Sequence, residues 1–429
     1  MSQHTLATGR AATLIKLAFA AGAKLSAAFI AFGLTALVTR NMPNDEAGLF
    51  LLGFSLLAVL SQFFRLGLDN VVLRFVGAHG IDAIAQEKLN RGLLWVVTAV
   101  IPITIVGCLF SQQIASYIFS KPEFGSVLFW LFPALPAMAV FMLLAMALQG
   151  RHRVIATTIF QNLGISALFV LGLGYLVLQQ PDWVTAKVAA QIYTASAYVI
   201  LLAALFIWFG QKGVAFKRHN YKDPELLSAS SNLWIAGNMQ LATVWGGVLI
   251  AGAMVPAEDL ALLSAAQRTA MLTSFVLMVV NMVAAPRYAR MWKEGDLAGI
   301  KRLAKWSTRG MIAMVAPIIA IMLLLPEKVM GLFGEGYEQA AALLVIMALG
   351  QFINVATGSV GYLLNMSGHE KDYRRVTLFV GPLTIACSYG LTILFGVLGA
   401  AIATAIGISL QNIFALHQVK KRLGFFPVL

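Results

Sequence analysis

The chain has 429 residues, 59% of them hydrophobic and only 11% charged, with a formal net charge of +13. A soluble domain carries about 25% charged residues, so this composition excludes a water-soluble protein and points to an integral membrane protein whose apolar excess faces lipid. Two cysteines (Cys108, Cys387) are too few for a disulfide framework, and the six histidines show no metal-ligand spacing, so neither a metal nor a cofactor is expected.

A helix needs about 20 apolar residues to cross the hydrocarbon. In chain order that rule predicts spans over 13–39, 47–68, 92–118, 124–149, 154–178 and 187–209. It then predicts 230–254, 258–285, 306–325, 337–364, 373–395 and 397–417. The expectation is an all-α chain of about 12 transmembrane helices, the first a retained span rather than a cleaved signal. Residues 1–210 would form an N-terminal six-helix lobe, 211–229 a cytoplasmic linker, and 230–429 a C-terminal six-helix lobe. Between spans eight and nine, the segment 292–306 ("WKEGDLAGIKRLAKW") has an apolar and a basic face and reads as an in-plane helix on the cytoplasmic leaflet.

Basic residues set the orientation. With both termini cytoplasmic, only Arg40, Lys121, Lys187 and Lys328 face outward, and Lys24 and Arg268 lie within spans. All other lysines and arginines fall on the inner side. The net charge is this asymmetry, suited to anionic lipid headgroups, and it requires no nucleic acid.

The halves match at an offset close to 214, and several pairs fall at 213. Asp45-Glu46 corresponds to Glu258-Asp259, Arg74-Phe75 to Arg287-Tyr288, and Pro102 to Pro317. Six spans per repeat make the repeats parallel, an arrangement that transporters use to place substrate between halves that rock against each other. Pro102 and Pro317 would bend their helices. Gly399, Ala403 and Gly407 form a small-residue face for close helix packing.

The charges in the spans or at their cytoplasmic edge break the repeat: the 213-residue offset carries Arg268 onto Ser55, Lys24 onto Gly237 and Arg65, nearer the cytoplasmic interface, onto Met278. A charge at mid-membrane depth costs about 2.5–3.5 kcal/mol on insertion scales, so each of these cations needs a partner or an aqueous cavity. Asp69, one turn beyond Arg65, is the nearest carboxylate. Snorkelling or backbone capping would account for all three. The alternative is a cavity lined by Lys24, Arg65 and Arg268 with the polar Gln62, Gln240, Gln267 and Asn281, which would suit a phosphate-bearing anion. No Gly-rich phosphate loop, nucleophile elbow or paired carboxylates occur, so no catalytic residues are assigned and no enzyme is expected.

Four stretches carry a family resemblance: "FFRLGLDNVVLRFVG", "SAAQRTAMLTSFVLMVVNMVAAPRYARMW", "VMGLFGEGYEQAA" and "GYLLNMSGHEKDYRR". In their order and spacing the chain resembles a polysaccharide-export or oligosaccharide-lipid flippase of the multidrug/oligosaccharidyl-lipid/polysaccharide (MOP) superfamily. The resemblance implies two six-helix lobes forming a V-shaped central cavity in the bacterial cytoplasmic (inner) membrane. It implies transfer of a polyprenyl-diphosphate-linked glycan to the outer leaflet, with polymerase or glycosyltransferase machinery as partners. Related flippases place cavity cations on the first, second and eighth spans, where Lys24, Arg65 and Arg268 fall. The competing reading is a multidrug/cation antiporter of the same superfamily, which typically needs a carboxylate inside the N-terminal lobe; the first span here offers Lys24 and no Asp or Glu.

Overall fold

The computed structural model describes residues 22, 26–79, 82–151, 153–211 and 223–428. Lys24 and most of the 211–229 linker lie outside them. All regular structure among the described residues is helical. Nine of their helices are long and apolar enough to cross a membrane, ten if Phe124–Leu131 and Ala134–Gly150 (α5 and α6), bent by 40° at Phe132-Pro133, count as one broken span. Glu370–Leu423 (α14) runs 54 residues, but Gly396 at φ 57°, ψ −138° divides it into two helices where the sequence places spans eleven and twelve. The chain is a multi-pass membrane protein.

The chain forms two compact units. The first contains Leu56–Ile235 with the chain up to Leu34, and the second contains Thr35–Ser55 with Ala236–Leu429, so the boundaries fall inside helix 26–41 (α1) and inside Asn44–Phe64 (α2).

In the first unit α6 is central, buried along most of its length, and packs against Leu68–His79 (α3), Ala83–Leu109 (α4) and Ala186–Phe209 (α8). Its alanines and Gly150 allow this approach: a side chain at Gly150 would meet the backbone of Leu73 and Gly77 at 3.0 Å. Broken helix 154–179 (α7) completes the set, packed on α8.

In the second unit Ala341–Ala356 (α12) takes the corresponding central place, against α14, Ala257–Lys293 (α10) and Leu297–Leu324 (α11). Pro224–Met254 (α9) ends in this unit, and Val360–Met366 (α13) follows α12 after a turn at Gly358. The N-terminal part of α2 belongs here because it lies directly on neighbours: Gly48 packs on the Ala257 backbone and Leu52 on Gly252. The small-residue face on α14 is buried, with Gly407 against Thr384.

Two expectations change. Segment 292–306 is not an in-plane helix. After the turn at Gly295, Asp296 accepts a hydrogen bond from the Gly299 N–H at 2.7 Å and starts α11, which runs unbroken through residue 306 into the span. A helix once capped continues until something breaks it, and nothing does here. The second span does not run straight through 65–67. Leu66 (φ 55°) and Gly67 (φ 71°) form a turn there, and α3 begins at Leu68. Pro102 lies inside α4 and Pro317 inside α11, and helix breaks fall at Phe132-Pro133, Gly358 and Gly396.

Candidate functional site

In the first unit the 65–67 turn ends α2 and places Ser61, Arg65 and Asp69 in succession. Arg65 is 9% exposed; its Nε donates to both carboxylate oxygens of Asp69 at 2.9 Å and its Nη1 donates to Ser61 Oγ at 2.9 Å. Arg65 therefore has the carboxylate partner that its spacing allowed. Trp234 Nε1 donates to the Phe63 carbonyl at 2.7 Å, and Gly67 lies so close to Ser230 and Trp234 that no side chain fits there. The turn is thus clamped onto α9. Residues 278–280, which the sequence offset pairs with this turn, lie inside α10 without a break. Gln62 is half-buried one residue along from Ser61.

Near the start of α9, Asp223 is the N-cap: its carboxylate accepts from the Leu226 N–H at 3.0 Å, from Lys88 Nζ at 2.9 Å and from Arg91 Nη1 at 2.7 Å. Burial alone would raise the Asp223 carboxyl, but that N–H and the two cations outweigh it and hold it below its ordinary value.

In the second unit Arg268 sits twelve residues into α10, with its guanidinium carbon 4.2 Å from the centroid of the Phe54 ring. Stacking on an aromatic face is one of the ways a guanidinium is accommodated away from water. Gln267, 4% exposed, donates to the Val244 carbonyl at 2.7 Å, a backbone tie between α10 and α9. At about 100° per residue, Asn281 lies roughly 140° around α10 from Arg268. It lines a cavity of about 310 Å³ with Gln240.

Residues that the sequence pattern did not single out complete that cavity. Tyr373 Oη donates to Gln240 Oε1 at 3.0 Å, and Gln411 Nε2 donates to the same oxygen at 3.3 Å. Ser274 Oγ and Asn354 Nδ2 donate to Gln351 Oε1 at 2.9 and 3.1 Å. The available signal was an amide inside an otherwise apolar span, which Gln351 and Gln411 both show. Of the candidate residues, then, Gln240 and Asn281 share a site within this unit, and Gln267 and Arg268 lie elsewhere in it.

Known proteins share this architecture. The family model "Polysaccharide biosynthesis protein" matches residues 15–292, and the MatE model matches 243–398. An uncharacterized membrane protein of Methanocaldococcus jannaschii, MJ1068, is 22% identical over 92% of this chain and 82% of its own length. The probable low-salt glycan biosynthesis flippase Agl15 of Haloferax volcanii is 22% identical over 89% of this chain and 78% of its own. The lipid II flippase MurJ, in an inward closed conformation, superposes with TM-score 0.77 over 94% of this chain and 87% of its own, at 10% identity. With a match over well more than half its length, the chain belongs to the polysaccharide biosynthesis protein family.

Proposed function

We propose that the protein moves a polyprenyl-diphosphate-linked oligosaccharide from the inner to the outer leaflet of the bacterial cytoplasmic membrane by alternating access. It does so as a transporter and not an enzyme, with both termini cytoplasmic and polymerase or glycosyltransferase machinery up- and downstream. The family match and the glycan flippase among its relatives support the cargo class. The observation that carries the mechanism is the placement of Arg268: a permanent cation within an apolar helix, held against Phe54. Stacking engages the guanidinium face, whereas phosphate oxygens are recognised by the N–H groups in its plane, so one arginine can do both. In this reading Arg268 is the principal counter-charge of the diphosphate, with Lys24, Arg65 and Gln62 as further candidate contacts. Arg65 already neutralises Asp69, so its share of the diphosphate charge is the smaller one.

The test is complementation of a deletion strain with Arg268→Ala, scoring surface polysaccharide and the inner-leaflet lipid-linked intermediate. Loss of polymer with the intermediate trapped inside, at normal protein levels, is the expected result. Full export would remove Arg268 from the mechanism.

The MatE match on 243–398 favours a second reading, drug/cation antiport. Raised resistance to cationic drugs on expression, with polysaccharide unchanged, would select it.

A further inference from the structure

The amide-lined cavity of the second unit differs in chemistry from a cation-centred diphosphate site. None of its lining residues carries a formal charge: no Asp or Glu to hold a cation, no Lys or Arg to hold a phosphate. Its polar groups are amides and hydroxyls, and they are sorted by the network they form. Gln240 Oε1 and Gln351 Oε1 each accept two hydrogen bonds, which leaves the NH₂ groups of those two residues as donors. Conversely Gln411 commits its NH₂ to Gln240 and Tyr373. Its Oε1, together with Asn281 Oδ1 and Ser359 Oγ, is buried and accepts no hydrogen bond from the described residues. Asn281, Gln411 and Ser359 are 4%, 5% and 4% exposed, so these are desolvated acceptors lining a chamber. A buried amide oxygen without a partner is destabilising, a cost that a ligand bearing O–H groups would remove.

We propose that this cavity is a subsite for a neutral polyhydroxyl group, one sugar ring of the carried glycan. The inference rests on the flippase reading for the source of the sugar, but the cavity's chemistry stands apart from it. A hydroxyl donates and accepts at once, and therefore matches a wall that carries both free donors and free acceptors. The C–H faces of a sugar meet the apolar part of the lining, where Met271, Leu277 and Met278 lie on the α10 face that also carries Asn281, with the Tyr373 ring from α14. About 310 Å³ is at the small end of ligand sites, enough for a single ring and too little for a chain of them. Charged ligands are disfavoured, because burying an ion against neutral amides leaves its desolvation largely uncompensated.

The experiment uses the full chain in lipid nanodiscs and reads its thermal unfolding with neutral monosaccharides (glucose, galactose, mannose, N-acetylglucosamine), with sodium against choline chloride, and with pyrophosphate. The expected result is a stabilising shift by at least one monosaccharide, with apparent affinity about tenfold weaker in Gln411→Leu and in Asn281→Leu, the effect of one lost hydrogen bond. The milder Ser359→Ala, which removes only a hydroxyl, weakens it less and guards against variants that fail to fold. Absence of any monosaccharide shift, or equal shifts in all three variants, overturns the subsite. So does a sodium-specific shift that the variants abolish, which would make the cavity a cation site. A second measurement separates this inference from the flippase reading: in proteoliposomes, transport of polyprenyl diphosphate bearing one N-acetylglucosamine is compared with the unsubstituted lipid. Gln411→Leu should erase wild-type preference for the glycosylated lipid. If wild type moves neither lipid, the flippase reading fails, and the monosaccharide titration alone decides the cavity.

Discussion

Replacing Asp69 should expose how strongly the broken second span depends on one ion pair. Asp69 receives Arg65 Nε on both oxygens at 2.9 Å, and the two side chains are 11% (Arg65) and 18% (Asp69) exposed. A fully exposed pair would be worth about 0–1 kcal/mol, and breaking a fully buried one costs about 3–5 kcal/mol. With most but not all of each group out of water, Asp69→Leu should cost about 2–3 kcal/mol, roughly 30- to 150-fold in the folding equilibrium, because it strands a guanidinium whose remaining contact is Ser61 Oγ. Arg65→Met should cost a similar amount by stranding the carboxylate. The double variant Arg65→Met/Asp69→Leu buries neither charge and should lie within about 1 kcal/mol of wild type. The assay is SDS-titrated unfolding in mixed micelles, treated as a double-mutant cycle. A coupling energy below about 0.5 kcal/mol would refute this account and make the pair a surface ornament of the helix.

Gly67→Ala should destabilise by more than about 2 kcal/mol in the same assay. A side chain at φ 71° is itself disfavoured, and this one would meet the Ser230 carbonyl and the Trp234 backbone. Phe54→Leu removes the ring beneath Arg268, and a cation–π seat is worth about 0.5–2 kcal/mol; lipid-linked glycan transport should fall several-fold, less than in Arg268→Ala, with equal transport counting against the seat. Asp223 has a folded-state carboxyl below its ordinary value of about 3.9, so its contribution is fully present above about pH 4 and is lost as pH falls through the lower folded value. Unfolding measured down through that window should show a loss that Asp223→Asn lacks. An identical acid profile for the two proteins would show that the Lys88–Arg91–Asp223 cluster carries no pH-linked stability.

The membrane character and the placement of most spans were legible because bilayer transfer is a sum over residues, and a run of about 20 apolar side chains meets it wherever the rest of the chain lies. The Arg65–Asp69 pair was legible for the same local reason, since four residues' separation brings the two within reach. The helix breaks were less so. Gly67 sits in a run whose hydropathy is that of an unbroken helix, and only its backbone conformation discloses the turn, whereas the break at Gly396 falls where the sequence already separated spans eleven and twelve. The amphipathic pattern of 292–306 was visible, but a helix with two faces can lie in the interface or lead into a span, and the Asp296 cap decided for the second.

From the sequence alone came a polytopic membrane protein with a few cations in apolar surroundings, because charge and hydropathy are properties each residue carries with it. Tertiary structure alone sorted the neutral polar residues. Gln267 and Gln240 look alike in the chain, yet one ties a neighbouring backbone and the other joins an amide network with Tyr373 and Gln411, the latter 171 residues away. A hydrogen bond is directional and short-ranged, so which amide spends its groups on the protein and which turns them toward a cavity is settled by packing.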